Sequence, residues 1–135
     1  MILEQTIKWG LEKPKKLFLI DGTGAIISAI LLGLVLVQFE EFFGIPRPTL
    51  YVLALFPILF ALYDLYCFFK EPQSINVFLK GIAIMNLLYC ILSLGLAIFH
   101  HQTLTLFGWI YILLEVLIVI ALANLEYRVA RRFKP

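Results

Sequence analysis

Glu115 stands in the middle of an apolar run that extends from Leu104 to Ala123. A charged group at the centre of a lipid bilayer costs about 2.5 to 3.5 kcal/mol on insertion scales, so such an acid must face protein or water and take partners there. Spacing supplies three candidates, Asn86, Tyr89 and Tyr111. Asn86, Tyr89, Cys90 and Ser93 recur at i, i+3, i+4 and i+7, and Tyr111 is one helical turn before Glu115. Counting helical rise from the membrane edge puts Asn86 and Glu115 at a common depth of about 16 Å, with Ser28 close to that level. Desolvation favours the neutral carboxyl, which can donate to the Asn86 carbonyl while accepting from a tyrosine hydroxyl. Two chemistries fit an Asn86–Glu115 pair. It is either structural glue between helices, at about 0.6 kcal/mol for an average interhelical polar pair, or a proton, cation or ligand site.

A second polar layer is shallower. Asp21, Asp64 and Lys80 each fall four or five residues inside a hydrophobic segment, about 6 to 8 Å from its edge, and Asn124 is near the same level. Asp21, Gly24 and Ser28 share one stripe, as do Pro57, Phe60, Asp64 and Cys67, so each helix is expected to turn its polar stripe toward the others. Near an edge, however, such groups can also snorkel to the interface or pair among themselves.

Glu40, Glu41, His100 and His101 lie in the two connections on the opposite side of the membrane. Their nitrogen and oxygen donors suit a transition metal, but the spacing is no metal signature, and solvated loop residues are the simpler expectation. No resident metal or other cofactor is expected. Cys67 and Cys90 form no CxxC pair and read as small buried hydrophobes.

Four segments must position these groups: 17–37, 50–69, 75–99 and 104–127. Each reaches the ~20 residues that cross a hydrocarbon core about 30 Å thick. Of the 135 residues, 62% are hydrophobic and 15% charged, against about 25% charged in soluble domains. Strands are excluded because an open sheet leaves backbone groups unpaired in lipid. The first segment is too long for the apolar core of a signal peptide and lacks an A-x-A cleavage site, so it is expected to be retained. Residues 2–13 place Leu3, Ile7 and Leu11 on one stripe and Glu4, Lys8 and Glu12 beside it, with Trp9 as an anchor, which predicts a short interfacial helix.

The first connection, 38–49, is the longest and contains Pro46-Arg47-Pro48; the second contains Pro72, with Ser74 as a candidate helix cap. Pro57 should kink the second helix unless neighbours restore its pairing. Ala25, Ala29 and Gly33 give helix one a face of small residues for close packing, within the bundle or in a homodimer.

These features predict an all-α membrane protein formed as one domain over residues 1–135. It is an up-down-up-down bundle of four transmembrane helices with short connections. Lys8, Lys13, Lys15, Lys16, Lys70, Lys80, Arg128, Arg131, Arg132 and Lys134 lie on one side and Arg47 on the other. The positive-inside rule therefore puts both termini in the cytoplasm, most simply at a bacterial inner membrane. The small net charge of +2 carries no nucleic-acid signal. Neither a nucleophile elbow nor a phosphate-binding loop is present. The expected function is non-enzymatic: an interior network centred on Glu115 and Asn86, with Tyr89, Tyr111, Asp21, Asp64 and Lys80, binds a small ligand or passes protons or cations. The alternative is an accessory subunit of a larger membrane complex, its polar contacts purely structural. In either case the lipid bilayer is the first partner, and a homodimer the next.

Overall fold

The computed structural model describes residues 2–70 and 74–133. It contains five helices: α1 (Ile2–Glu12), α2 (Pro14–Phe43), α3 (Arg47–Phe68), α4 (Ile75–Phe99) and α5 (Leu106–Arg132). The last four are long and apolar enough to cross a membrane, and no strand occurs among the described residues. Their outward faces carry large aliphatic side chains, with Ile91, Leu117 and Ile118 all about two-thirds exposed. Such a surface is stable against lipid tails and not against water. The expected stop at Pro72 and the basic Lys134 lie outside the described residues.

Local chemistry explains the helix ends and corrects one connection. Pro14 begins α2, where its missing N–H costs nothing. The rod keeps α geometry through Ile30, widens to a π turn over Leu31–Val35, tightens to a 3-10 turn over Leu36–Phe39, and closes with an α turn over Glu40–Phe43. The first residue to leave it is Gly44, in the left-handed region at φ 75°, whose N–H donates to the Glu40 carbonyl at 2.7 Å. The connection expected over 38–49 thus shrinks to 44–46, and Glu40 and Glu41 ride on the last turn of α2. Glu and Phe are compatible with a helix, so nothing stops the chain before glycine does.

Pro46 is extended and starts α3, which then passes uninterrupted through the buried Pro57. Ser74 holds the cap position of α4 but makes no side-chain cap bond. Thr105 does cap α5, accepting from the Gly108 N–H at 3.2 Å.

Packing divides the bundle into two close pairs, α2 with α3 and α4 with α5, with α3 and α4 touching more sparsely. In the first pair the small residues bring the backbones together: a Cβ on Gly33 would sit 3.3 Å from the Ala54 Cβ. At the end away from the termini, the connections are laced together. Thr105 N–H donates to the Phe43 carbonyl at 3.2 Å, Thr105 Oγ1 to the Phe42 carbonyl at 2.6 Å, and Thr103 Oγ1 to the Gly44 carbonyl at 3.1 Å.

At the other end α1 docks on α5 and the start of α2. Ile7 is fully buried, and a Cβ on Gly10 would lie 2.8 Å from Val129 Cγ2. Arg132 Nη1 pairs with Glu4 Oε2 at 3.1 Å, and the guanidinium holds the Glu4 carboxyl below the usual carboxylate range.

Candidate functional site

Polar side chains of the interior gather in two clusters. In the first, Glu115 of α5 receives three hydroxyls. Tyr89 of α4 donates to Oε1 at 2.8 Å, Tyr111 donates to Oε2 at 3.1 Å from one turn away, and Ser28 of α2 also donates to Oε2. The partner expected from depth, Asn86, is not among them. Tyr89 lies nearly one turn farther along α4 and is long enough to reach the carboxyl, while Ser28 fills the remaining direction.

Asn86 belongs instead to a cluster nearer the termini. Its Nδ2 donates to Asp21 Oδ1 at 2.8 Å and to Glu126 Oε1 at 3.1 Å. The same nitrogen thus holds the Asp21 and Glu126 carboxyls side by side, and Asp64 of α3 packs against Gly22, the neighbour of Asp21. All four residues are buried: Asp21 is 3% exposed, Asp64 1%, Glu126 0% and Asn86 5%. An ionised carboxylate only accepts hydrogen bonds, so a hydrogen bond between two such carboxyls would require a proton shared by the partners. No N–H or alcohol hydroxyl reaches Asp21 Oδ2, either oxygen of Asp64, or Glu126 Oε2. Nor does a cation. Among the described residues the ion pairs are Arg47–Glu40 and Arg132–Glu4, both outside this cluster.

Two placements differ from the layer expected from sequence. Lys80, expected beside Asp21 and Asp64, is exposed on α4, where its ammonium escapes the desolvation cost of the interior. Asn124 is exposed as well and accepts from Arg128 Nε at 3.1 Å. Glu126, the most deeply buried of the acids, was hidden by its closeness to the end of the apolar run. The signal that finds it is periodicity. It follows Glu115 by eleven residues, about three turns, and so returns to the same face of α5.

Between the two helix pairs lies a cavity of about 370 Å³ that both clusters border. Asp21 and Asn86 line one end; Ser28, Tyr89, Tyr111 and Glu115 line the other. Seven residues separate Asp21 from Ser28 on α2, so the ends stand about 10 Å apart along the axis. The remaining wall is aliphatic or aromatic. Its side between α2 and α5 is formed by Ile27, Leu114 and Ile118, each more than half exposed on the outer surface of the bundle. A second, wider apolar groove of about 740 Å³ runs outside the α2–α3 pair over Gly22, Ala29, Gly33, Ala54 and Ala61.

The weak metal candidates are not brought together. Glu40 Oε2 accepts the Arg47 N–H at 3.0 Å, His100 Nε2 is bonded to Thr49 Oγ1 at 3.0 Å, and His101 Nδ1 turns back to the Ile98 carbonyl at 2.8 Å. Glu41 is exposed and joins none of them. Among the described residues no group of three or more His, Cys, Asp or Glu is arranged to hold a metal ion. Cys67 and Cys90 are buried free thiols, the latter donating weakly to the Val116 carbonyl.

Compared with protein-family models, curated proteins and solved structures, the chain matches none of them.

Proposed function

We propose that this is a multi-pass membrane protein whose interior carboxyl groups take up and release protons, with both termini in the cytoplasm of a bacterial cell. The observation that carries the reading is the burial of Asp21, Asp64 and Glu126 in one cluster around Asn86, with no ion pair to any of them among the described residues. Three acids so placed are costly as packing elements alone, because a hydrophobic side chain would fill the same space without desolvating a carboxyl. Intramembrane acids of this kind serve proton relays. Asn86 supplies an amide to two of the acids, and the cavity leads from Asp21 to Glu115 with its three hydroxyls. Topology rests on the clustering of Lys and Arg at the end that carries both termini. A four-helix chain encloses little space, so pairing with a second copy would complete any pathway.

A second reading, an accessory subunit in a larger membrane complex, is favoured by the apolar groove of about 740 Å³ on the outside of the α2–α3 pair. The two are separated by proton flux. Purified protein in vesicles with an internal pH dye should dissipate an imposed pH gradient faster than empty vesicles. Asp64→Asn and Glu115→Gln should each suppress that flux while leaving the chain helical and monodisperse. A flux equal to that of empty vesicles, or unaltered in both variants, refutes the proton-handling reading.

A further inference from the structure

We propose that the groove of about 740 Å³ outside the α2–α3 pair seats an acyl chain of an anionic phospholipid, with the phosphate headgroup at Lys15 and Lys16. The inference rests on the chain's crossing a bilayer and is independent of proton handling in the interior.

Shape is the first observation. The two helices touch along the floor: a Cβ on Gly22 would lie 3.3 Å from the Asp64 Cβ, and one on Gly33 would lie 3.3 Å from the Ala54 Cβ. The groove is therefore a shallow furrow between rims of Ile26, Ile58 and Leu62, each about half exposed. A hydrocarbon chain follows such a furrow, whereas a helix ~10 Å across rides on its rims. Along α2 it runs from Phe18 to Leu34, sixteen residues or ~24 Å. That exceeds the ~15 Å half-thickness of a hydrocarbon core, so an acyl chain anchored at one end stays in the furrow through its whole leaflet.

Charge is the second. Lys15 precedes Leu19 and Gly22 by four and seven residues, and Lys16 precedes Leu19 and Thr23 by three and seven, so both continue the α2 stripe that forms the groove. Lys15 is half-buried and Lys16 exposed, which suits stems lying on apolar surface with their ammoniums at the interface. Neither is in an ion pair among the described residues. Lys8 and Lys13 reinforce them against Glu12 alone, because Glu4 is paired with Arg132 at 3.1 Å. At the opposite end stand Glu40, Glu41 and Arg47, with Arg47 paired to Glu40 at 3.6 Å, and the remaining acid repels an anion. A phosphate headgroup is thus drawn to one end of the furrow and not the other. The same charges oppose a second copy. A two-fold axis parallel to the helices would set groove against groove with lysines facing lysines.

The test equilibrates the full chain in micelles holding equimolar phosphatidylglycerol and phosphatidylcholine of the same acyl chains and reads retained lipid by native mass spectrometry. Phosphatidylglycerol should be favoured about tenfold or more, the factor expected of two lysines near a headgroup. Lys15→Gln and Lys16→Gln should each lower the ratio about fivefold, and the double variant should bring it near unity. Arg128→Gln, on the exposed face of α5, removes the same charge away from the groove and should leave the ratio unchanged. Ala29→Phe and Ala61→Phe fill the floor from different helices, and each should abolish retention of both lipids. If neither of these folds, the exposed and half-buried lysine positions decide. Equal retention of the two lipids, a preference that survives the double lysine change, or an equal fall in Arg128→Gln overturns the proposal. So does a dimer that Ala61→Phe separates while lipid retention is unaltered, because a second copy then fills the furrow.

Discussion

Replacing Asn86 by Leu tests whether the acid cluster carries shared protons, because the two possibilities predict different losses of stability. The side chain is 5% exposed and makes two bonds from Nδ2, to Asp21 Oδ1 at 2.8 Å and to Glu126 Oε1 at 3.1 Å. Leucine is of similar size, so the change removes donors without opening a large cavity. If protons already lie between the carboxyls, each lost bond is an ordinary interhelical polar contact at about 0.6 kcal/mol, and the total is about 1.2 kcal/mol. Were the acids fully ionised, each oxygen would lose a hydrogen bond to a charged group, at about 1.5 to 3 kcal/mol, for a total of about 3 to 6 kcal/mol. The measurement is reversible unfolding in bicelles or mild detergent, with the midpoint and slope compared between the two chains. We expect a loss of about 1 to 2 kcal/mol with the slope unchanged. A loss above about 3 kcal/mol would show carboxylates that depend on Asn86 for their only donors, and the argument that protons bridge the three acids would fail.

Three further outcomes follow from other parts of the molecule. Gly44→Ala forces a left-handed residue and drives its Cβ to 2.1 Å from the Thr103 carbonyl oxygen. It should cost about 2 to 5 kcal/mol and raise hydrogen exchange at Thr103 and Thr105, whereas unchanged exchange there would mean that the two connections are not joined. Gly10→Val pushes into Val129, so α1 should leave α5 and trypsin should cut sooner at Lys8 and Lys15; equal cutting rates refute the docking. Because Arg132 lowers the folded-state pKa of Glu4, that pair supports α1 fully above the unfolded value of about 4.3 and is lost as pH falls through the lowered value. Exchange in α1 should therefore rise on acidification toward about pH 3, and Glu4→Gln should remove that pH dependence; a Glu4→Gln chain with the same dependence refutes it.

The sequence by itself determined where lipid-length helices run and that Glu115 needs partners. Hydropathy is a property of one segment measured against the thickness of a bilayer, and the expected span 75–99 coincides with α4 (Ile75–Phe99). Tyr89 and Tyr111 were likewise within reach of spacing arguments, since one turn on a single helix fixes which residues share a face. What only the tertiary structure decided is how those faces are rotated and paired. Depth alone put Asn86 with Glu115 and Lys80 with Asp21. Contact gave Asn86 to Asp21 and Glu126, let Ser28 complete the hydroxyls around Glu115, and left Lys80 exposed. Burial of Glu126 near a helix end followed the same pattern, because α1 and the start of α2 pack against that end of α5. Rise along an axis is set by the backbone of each helix, but the azimuth at which two helices meet depends on every side chain between them, and no single segment contains that information.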